Sequence, residues 1–169
     1  MSSVAFAQNY GSRWVGATEN SLVDINKFLQ CRNLSEPEFE AEEGYEYVLG
    51  VDVARSQSTS NNRSSVSVVK IIRNKDNTIK ELQLVNIFMI SNAYTFDAQA
   101  VEVKKIQKAF NAKCVVIDAN GLGVGLVDVL VKNNTDVRTG EIFDAWKTKN
   151  TDQVSENDYA EDMIYALTP

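Results

Sequence analysis

Two apolar runs, each with a single aspartate near its C-terminal end, constrain this chain most: Tyr47-Val48-Leu49-Gly50-Val51-Asp52-Val53-Ala54 and Cys114-Val115-Val116-Ile117-Asp118-Ala119. Both have the length and residue types of a strand buried on both faces. Taking an ionised carboxylate out of water without a partner costs on the order of several kcal/mol, so each Asp is expected to have a donor, a cation or a metal beside it. Two of them placed alike on two strands invite one cation for both. Because side chains alternate along a strand, Asp52 shares a face with Val48, Gly50 and Ala54, which are small enough to leave that face approachable.

The rest of the chain reads around these strands. Residues 1–44 predict an arm: an aromatic patch at Tyr10, Trp14 and Val15, then a short amphipathic helix over 23–32 from Leu22, Ile25, Phe28 and Leu29. The acidic stretch 35–44 predicts a solvated linker into a single domain spanning 45–169. After Asp52 comes a polar loop from Arg55 to Arg63, then a strand over 64–72, a turn at Asn74-Lys75-Asp76-Asn77 and a partner strand over 79–90. Three sequential antiparallel strands result. Thr95 can cap a helix whose apolar stripe is Phe96, Val103, Ile106 and Phe110, and the crossover it makes lays the Cys114 strand parallel to the first. Gly121, Gly123 and Gly125 then open an apolar helix, without the Gly-Lys-Ser/Thr of a nucleotide-binding P-loop. Residues 141–146 predict a fifth strand, and 158–167 the start of a helix.

Composition excludes several chemistries. There is no histidine, which removes Ser-His-Asp and Cys-His catalysis and every histidine-containing metal site. Only two cysteines occur, Cys31 and Cys114, so neither a disulfide framework nor a zinc site is expected. A net charge of −6 argues against a broad basic surface but leaves room for a local basic rim around an acidic centre. No apolar run reaches the length of a membrane span and no basic leader precedes one, so a non-membrane, non-secreted protein is expected.

A three-stranded antiparallel meander, a helix, and a further strand parallel to the first, with Asp on strands one and four, describe a ribonuclease H-like α/β fold with a mixed sheet. Gly50-Val51-Asp52-Val53-Ala54 with its polar loop and Ser/Val-rich second strand, followed by the stretch from Val116 to Leu130 containing Asp118-Ala119-Asn120-Gly121-Leu122-Gly123, resembles the nuclease domain of tailed-phage terminase large subunits. The arm with Phe6, Tyr10, Trp14 and Val15-Gly16 resembles the segment joining the packaging ATPase to that nuclease. The resemblance implies a two-metal endonuclease that cuts concatemeric double-stranded DNA, with Asp52 bridging two Mg²⁺ or Mn²⁺ ions and Asp118 binding one. Arg55 and Arg63 would touch DNA phosphates. It also implies an upstream ATPase domain of the full-length protein, a portal and a small terminase subunit as partners, and the cytoplasm of a bacterial host as location. The family has a third carboxylate presented late in the fold; Asp158 and Asp162 arrive early for that role, and the ligand is expected beyond Pro169, with this chain truncated at its C-terminus and weakly active or inactive. No Walker A motif is present, so ATP hydrolysis is not expected.

Other readings of the same residues stay open. A resolvase or transposase of the same fold would not need the N-terminal arm. An actin-like or sugar-kinase lobe would place glycines and a Ser or Thr tightly after the first Asp, where this chain has Val53-Ala54-Arg55. A non-catalytic scaffold of the same fold needs neither carboxylate.

Overall fold

The structure, a computed structural model of the 169-residue chain, describes residues 24–54, 63–91 and 94–167. It divides into two compact units, Met1–Glu36 and Pro37–Pro169. In the first, the described residues carry one short helix, α1 (Ile25–Gln30), within the predicted span. Asp24 caps it, accepting from the backbone N–H of Asn26 at 2.8 Å, and no residue of the helix is buried.

The second unit runs β1 (Glu46–Asp52), β2 (Ser64–Arg73), β3 (Ile79–Ile90), α2 (Phe96–Phe110), β4 (Cys114–Asp118), α3 (Leu122–Leu130), β5 (Asn134–Thr135), β6 (Ile142–Phe143), β7 (Lys147–Thr148) and β8 (Asp162–Leu167). Six strands form one mixed sheet in the order β3-β2-β1-β4-β8-β7, and β5 and β6 make a separate two-stranded ladder. The pairs β1–β2 and β2–β3 are antiparallel, whereas β1–β4, β4–β8 and β7–β8 are parallel. The antiparallel meander followed by a parallel strand after a crossover helix is therefore present as expected.

The stretch 158–167 departs from expectation: it holds no helix, and its last six residues are β8. Met163, Ile164 and Ala166 are buried while Tyr165 and Leu167 are exposed, and Ile164 sits in register with Val115 of β4. Pairing beside a central strand overrides the helical preference of Ala, Glu, Met and Leu in so short a run. The predicted strand over 141–146 shrinks to the two residues of β6.

One face of the sheet holds the core. Tyr47, Leu49, Val51, Val66, Val68, Val115, Ile117 and Ile164 bury their side chains with Ala100, Val103 and Phe110 of α2 and Leu126, Val127 and Leu130 of α3. Alternate residues turn to the other face, where Leu82, Leu84, Ile87, Met89, Tyr165 and Leu167 are exposed. Asp52 and Asp118 belong to this second face.

Lys104 of α2 is buried among the core residues, its Nζ donating to the carbonyls of Lys132 at 2.9 Å and Asp144 at 2.7 Å. It ties α2 to the chain on both sides of the β5–β6 ladder, and burial pushes its amine down to about 8.

The acidic stretch before β1 is docked, contrary to the reading of a solvated linker. Lys70 lies at an inward position of β2, 5% exposed, and its ammonium binds Glu38 at 2.7 Å and also Glu42. Burial opposes the charge on Lys70, but the two carboxylates outweigh it and hold the amine above its ordinary range. Tyr47 adds its hydroxyl to Glu38 at 2.7 Å, and the backbone N–H of Ala41 donates to Ala109 of α2. Lys70→Met is expected to cost about 2 kcal/mol, below the full cost of breaking a buried pair because Glu42 can return to water. Urea denaturation measures the loss, and faster amide exchange at Ala41 should accompany it.

Asp136, in the turn between β5 and β6, sits 2.6 Å from Lys105 of α2. The Lys105 ammonium, with the Arg138 backbone N–H, holds its carboxyl well below the usual carboxylate range. A group whose folded pKa is depressed gives stability that is whole above its ordinary value of 3.8 and is lost as pH falls below it. The acid limb of the stability curve below pH 3.8 should therefore be shallower in Asp136→Asn than in the unaltered protein, measured by thermal melts between pH 5 and 2.

Candidate metal centre

β1 and β4 lie side by side and parallel, with Val51 opposite Ile117. One further step along this register sets Asp52 beside Asp118. Residues in register on parallel neighbours project to the same face from strands about 4.8 Å apart. On β2, Ser65 is the antiparallel partner of Asp52, and on β8 Leu167 is the partner of Asp118. Across four adjacent strands the tip therefore carries Ser65, Asp52, Asp118 and Leu167.

Both aspartates are exposed, each as the last residue of its strand. This corrects the expectation of buried carboxylates, because the apolar runs end where their charges reach solvent. The reason for a cation changes accordingly, from desolvation to repulsion. Carboxylates on adjacent strand ends, whose backbones are roughly 5 Å apart, repel by about 1 kcal/mol at that separation in bulk water and by several times that at the effective dielectric of a protein surface. Among the described residues no Lys or Arg forms an ion pair with either.

Asp118 is oriented by the turn that follows it. Its Oδ1 accepts from the backbone N–H of Asn120 at 3.0 Å and from Asn120 Nδ2 at 2.8 Å, leaving Oδ2 for another partner. Helix α3 starts almost against the strand end because of Gly123: a Cβ there would fall 1.7 Å from the carbonyl oxygen of Asp118. Part of the glycine run thus buys a close approach of helix to strand tip.

The other candidate residues divide. Arg55 lies outside the described residues. Arg63 is exposed and immediately precedes β2, at the same end of the sheet as Asp52. Asp162 opens β8, which is parallel to β4, so it sits a strand's length, roughly 16 Å, from the tip. Asp158 lies before it, with its backbone carbonyl taken by Lys147 Nζ. Neither is brought to Asp52 and Asp118.

Two carboxylates on one face, with a Ser hydroxyl beside them, are hard oxygen donors that suit Mg²⁺ or Mn²⁺, whose remaining coordination would come from water and phosphate oxygens. A second ion would need more oxygen ligands than these, and among the described residues no group of three or more His, Cys, Asp or Glu could hold a metal. No helix among the described residues is long and apolar enough to cross a membrane. The chain matches no protein-family model, and a search of curated proteins finds no match.

Proposed function

We propose that this chain is the nuclease domain, with part of its preceding linker, of a viral DNA-packaging terminase, built on a ribonuclease H-like fold and hydrolysing phosphodiester bonds of double-stranded DNA with Mg²⁺ or Mn²⁺. The observation that carries this reading is the parallel pairing of β1 and β4, in register up to Val51 and Ile117, with an exposed aspartate as the next residue on each strand. A sheet of three antiparallel strands extended by parallel strands, with both crossover helices on the far side, supports it.

In this reading Asp52 and Asp118 would hold the divalent ion. A bound metal supplies Lewis acidity to the phosphate and lowers the pKa of a coordinated water. The chain's own residues do the rest. Asn120 occupies one oxygen of Asp118 and so restricts which oxygen faces the ligand, Arg63 brings positive charge to the same end of the sheet, and exposure of the strand tips admits a duplex. The upstream ATPase, portal and small subunit belong to the same proposal.

Incubating supercoiled plasmid with the protein and Mn²⁺ tests it. Nicked and linear products that chelation prevents, and that Asp52→Asn removes, are expected. Cleavage that survives chelation, or that survives in Asp52→Asn, would count against the reading.

A further inference from the structure

We infer that Ser64 and Gln99 form a buried polar clamp on the exit of β1 that fixes the aim of Asp52, which makes them positioning residues of the proposed metal site. The inference rests on the metal-dependent reading above.

The ladder between β1 and β2 ends at Asp52 and Ser65. Asp52 is the last residue of β1 in that ladder, so the segment that follows it decides how firmly its end is held. Val53 packs against the core, and at Ala54 one hydroxyl holds the main chain: the Ala54 N–H donates to Ser64 Oγ at 2.9 Å, and the same oxygen lies 2.9 Å from the Ala54 carbonyl. Ser64 Oγ is also 2.7 Å from Gln99 Oε1, on the second turn of α2.

Gln99 Nε2 donates to the carbonyl of Tyr94 at 3.2 Å, so its oxygen is the end that faces Ser64. The single Ser64 proton therefore has two acceptors in reach, Ala54 O and Gln99 Oε1. Ser64 and Gln99 are both 0% exposed, Ser64 at an inward position of β2 in phase with Val66 and Val68 and Gln99 on the buried side of α2. Polar groups so placed are tolerated when they are satisfied, and here Ser64 accepts from the Ala54 N–H and gives its one proton to either the Ala54 carbonyl or Gln99 Oε1, while Gln99 Nε2 is taken by Tyr94. The opposite end of β1 is held separately, by the Tyr47 hydroxyl on Glu38. Loosening the two ends should thus have different consequences for a ligand at the tip.

Ser64→Ala, Gln99→Met, Ser64→Thr and, as a control lesion at the far end of the strand, Tyr47→Phe are compared by amide hydrogen exchange without metal and by Mn²⁺ affinity from the electron paramagnetic resonance of free Mn²⁺. Ser64→Ala should speed exchange at Ala54 and weaken Mn²⁺ binding about tenfold, the lower end of what loss of an orienting partner costs a metal site. Gln99→Met, which keeps the Ser64 contacts to Ala54, should move both readouts in the same direction by less. Ser64→Thr should restore them, and Tyr47→Phe should lower thermal stability without touching either. Faster exchange at Ala54 with Mn²⁺ affinity equal to that of Tyr47→Phe overturns the positioning role. Unchanged exchange at Ala54 overturns the clamp itself. If the unaltered protein binds no Mn²⁺, the nuclease reading has failed before any substitution is made, and the positioning role falls with it.

Discussion

Asp52→Asn and Asp118→Asn should each abolish the thermal stabilisation that Mn²⁺ gives the unaltered protein, while leaving the metal-free protein at least as stable as before. Asn keeps the shape of Asp and, at position 118, keeps an oxygen to accept from Asn120, so the turn into α3 survives. What it removes is charge. At a Mn²⁺ concentration one hundred times its dissociation constant, binding is worth about 2.7 kcal/mol, or roughly 10 °C in Tm for a unit of this size. Without metal, removing one of two neighbouring like charges relieves about 1 kcal/mol of repulsion, so a small rise in Tm is expected. A merely structural aspartate would behave in the opposite way, losing stability on substitution with or without metal. Differential scanning calorimetry with and without Mn²⁺ separates the cases, and variants that keep the full Mn²⁺ gain would remove both residues from the site.

The second large effect is expected at Gly123. On helix propensity alone, Gly→Ala inside a helix stabilises by about 1 kcal/mol. Here the sign should reverse, because the new Cβ would stand 1.7 Å from the Asp118 carbonyl oxygen, and a main-chain atom at the end of a central strand cannot swing aside. Gly123→Ala should cost roughly 3–5 kcal/mol, at the upper end of what single substitutions do, and should weaken Mn²⁺ binding by displacing the Asp118 peptide. Gly125→Ala provides the contrast. Its Cβ would meet the Phe96 ring at 2.6 Å, a side chain that can give way, and its loss should be smaller by urea denaturation.

The residues show why some of this was legible in advance. β1 and β4 are central strands, so their sequences carry the apolar runs of two-sided neighbours, and α2 announces itself with a Thr cap and a regular stripe. Edge and terminal pieces carry weaker signals. β8 is six residues rich in helix formers, and its placement between β4 and β7 makes it a strand. The docking of Glu38 and Glu42 is not legible locally because their partner, Lys70, is far away in sequence, although a lysine at an inward position of an apolar strand is a clue to it. Ser64 offered the same kind of clue, a polar residue in phase with Val66 and Val68. Asn120 and the close approach at Gly123 depend on how tightly α3 follows β4, which spacing alone does not set.

The two aspartates were legible as a pair because their strands were, but their exposure was not. An apolar run implies burial along its length and is silent about its last residue.

The most direct measurement is an anomalous difference map from crystals of the unaltered protein soaked in Mn²⁺. A peak bonded to carboxylate oxygens of both Asp52 and Asp118 is expected. A peak held by only one of them, or none at these strand tips when Mn²⁺ is bound elsewhere on the chain, would contradict it.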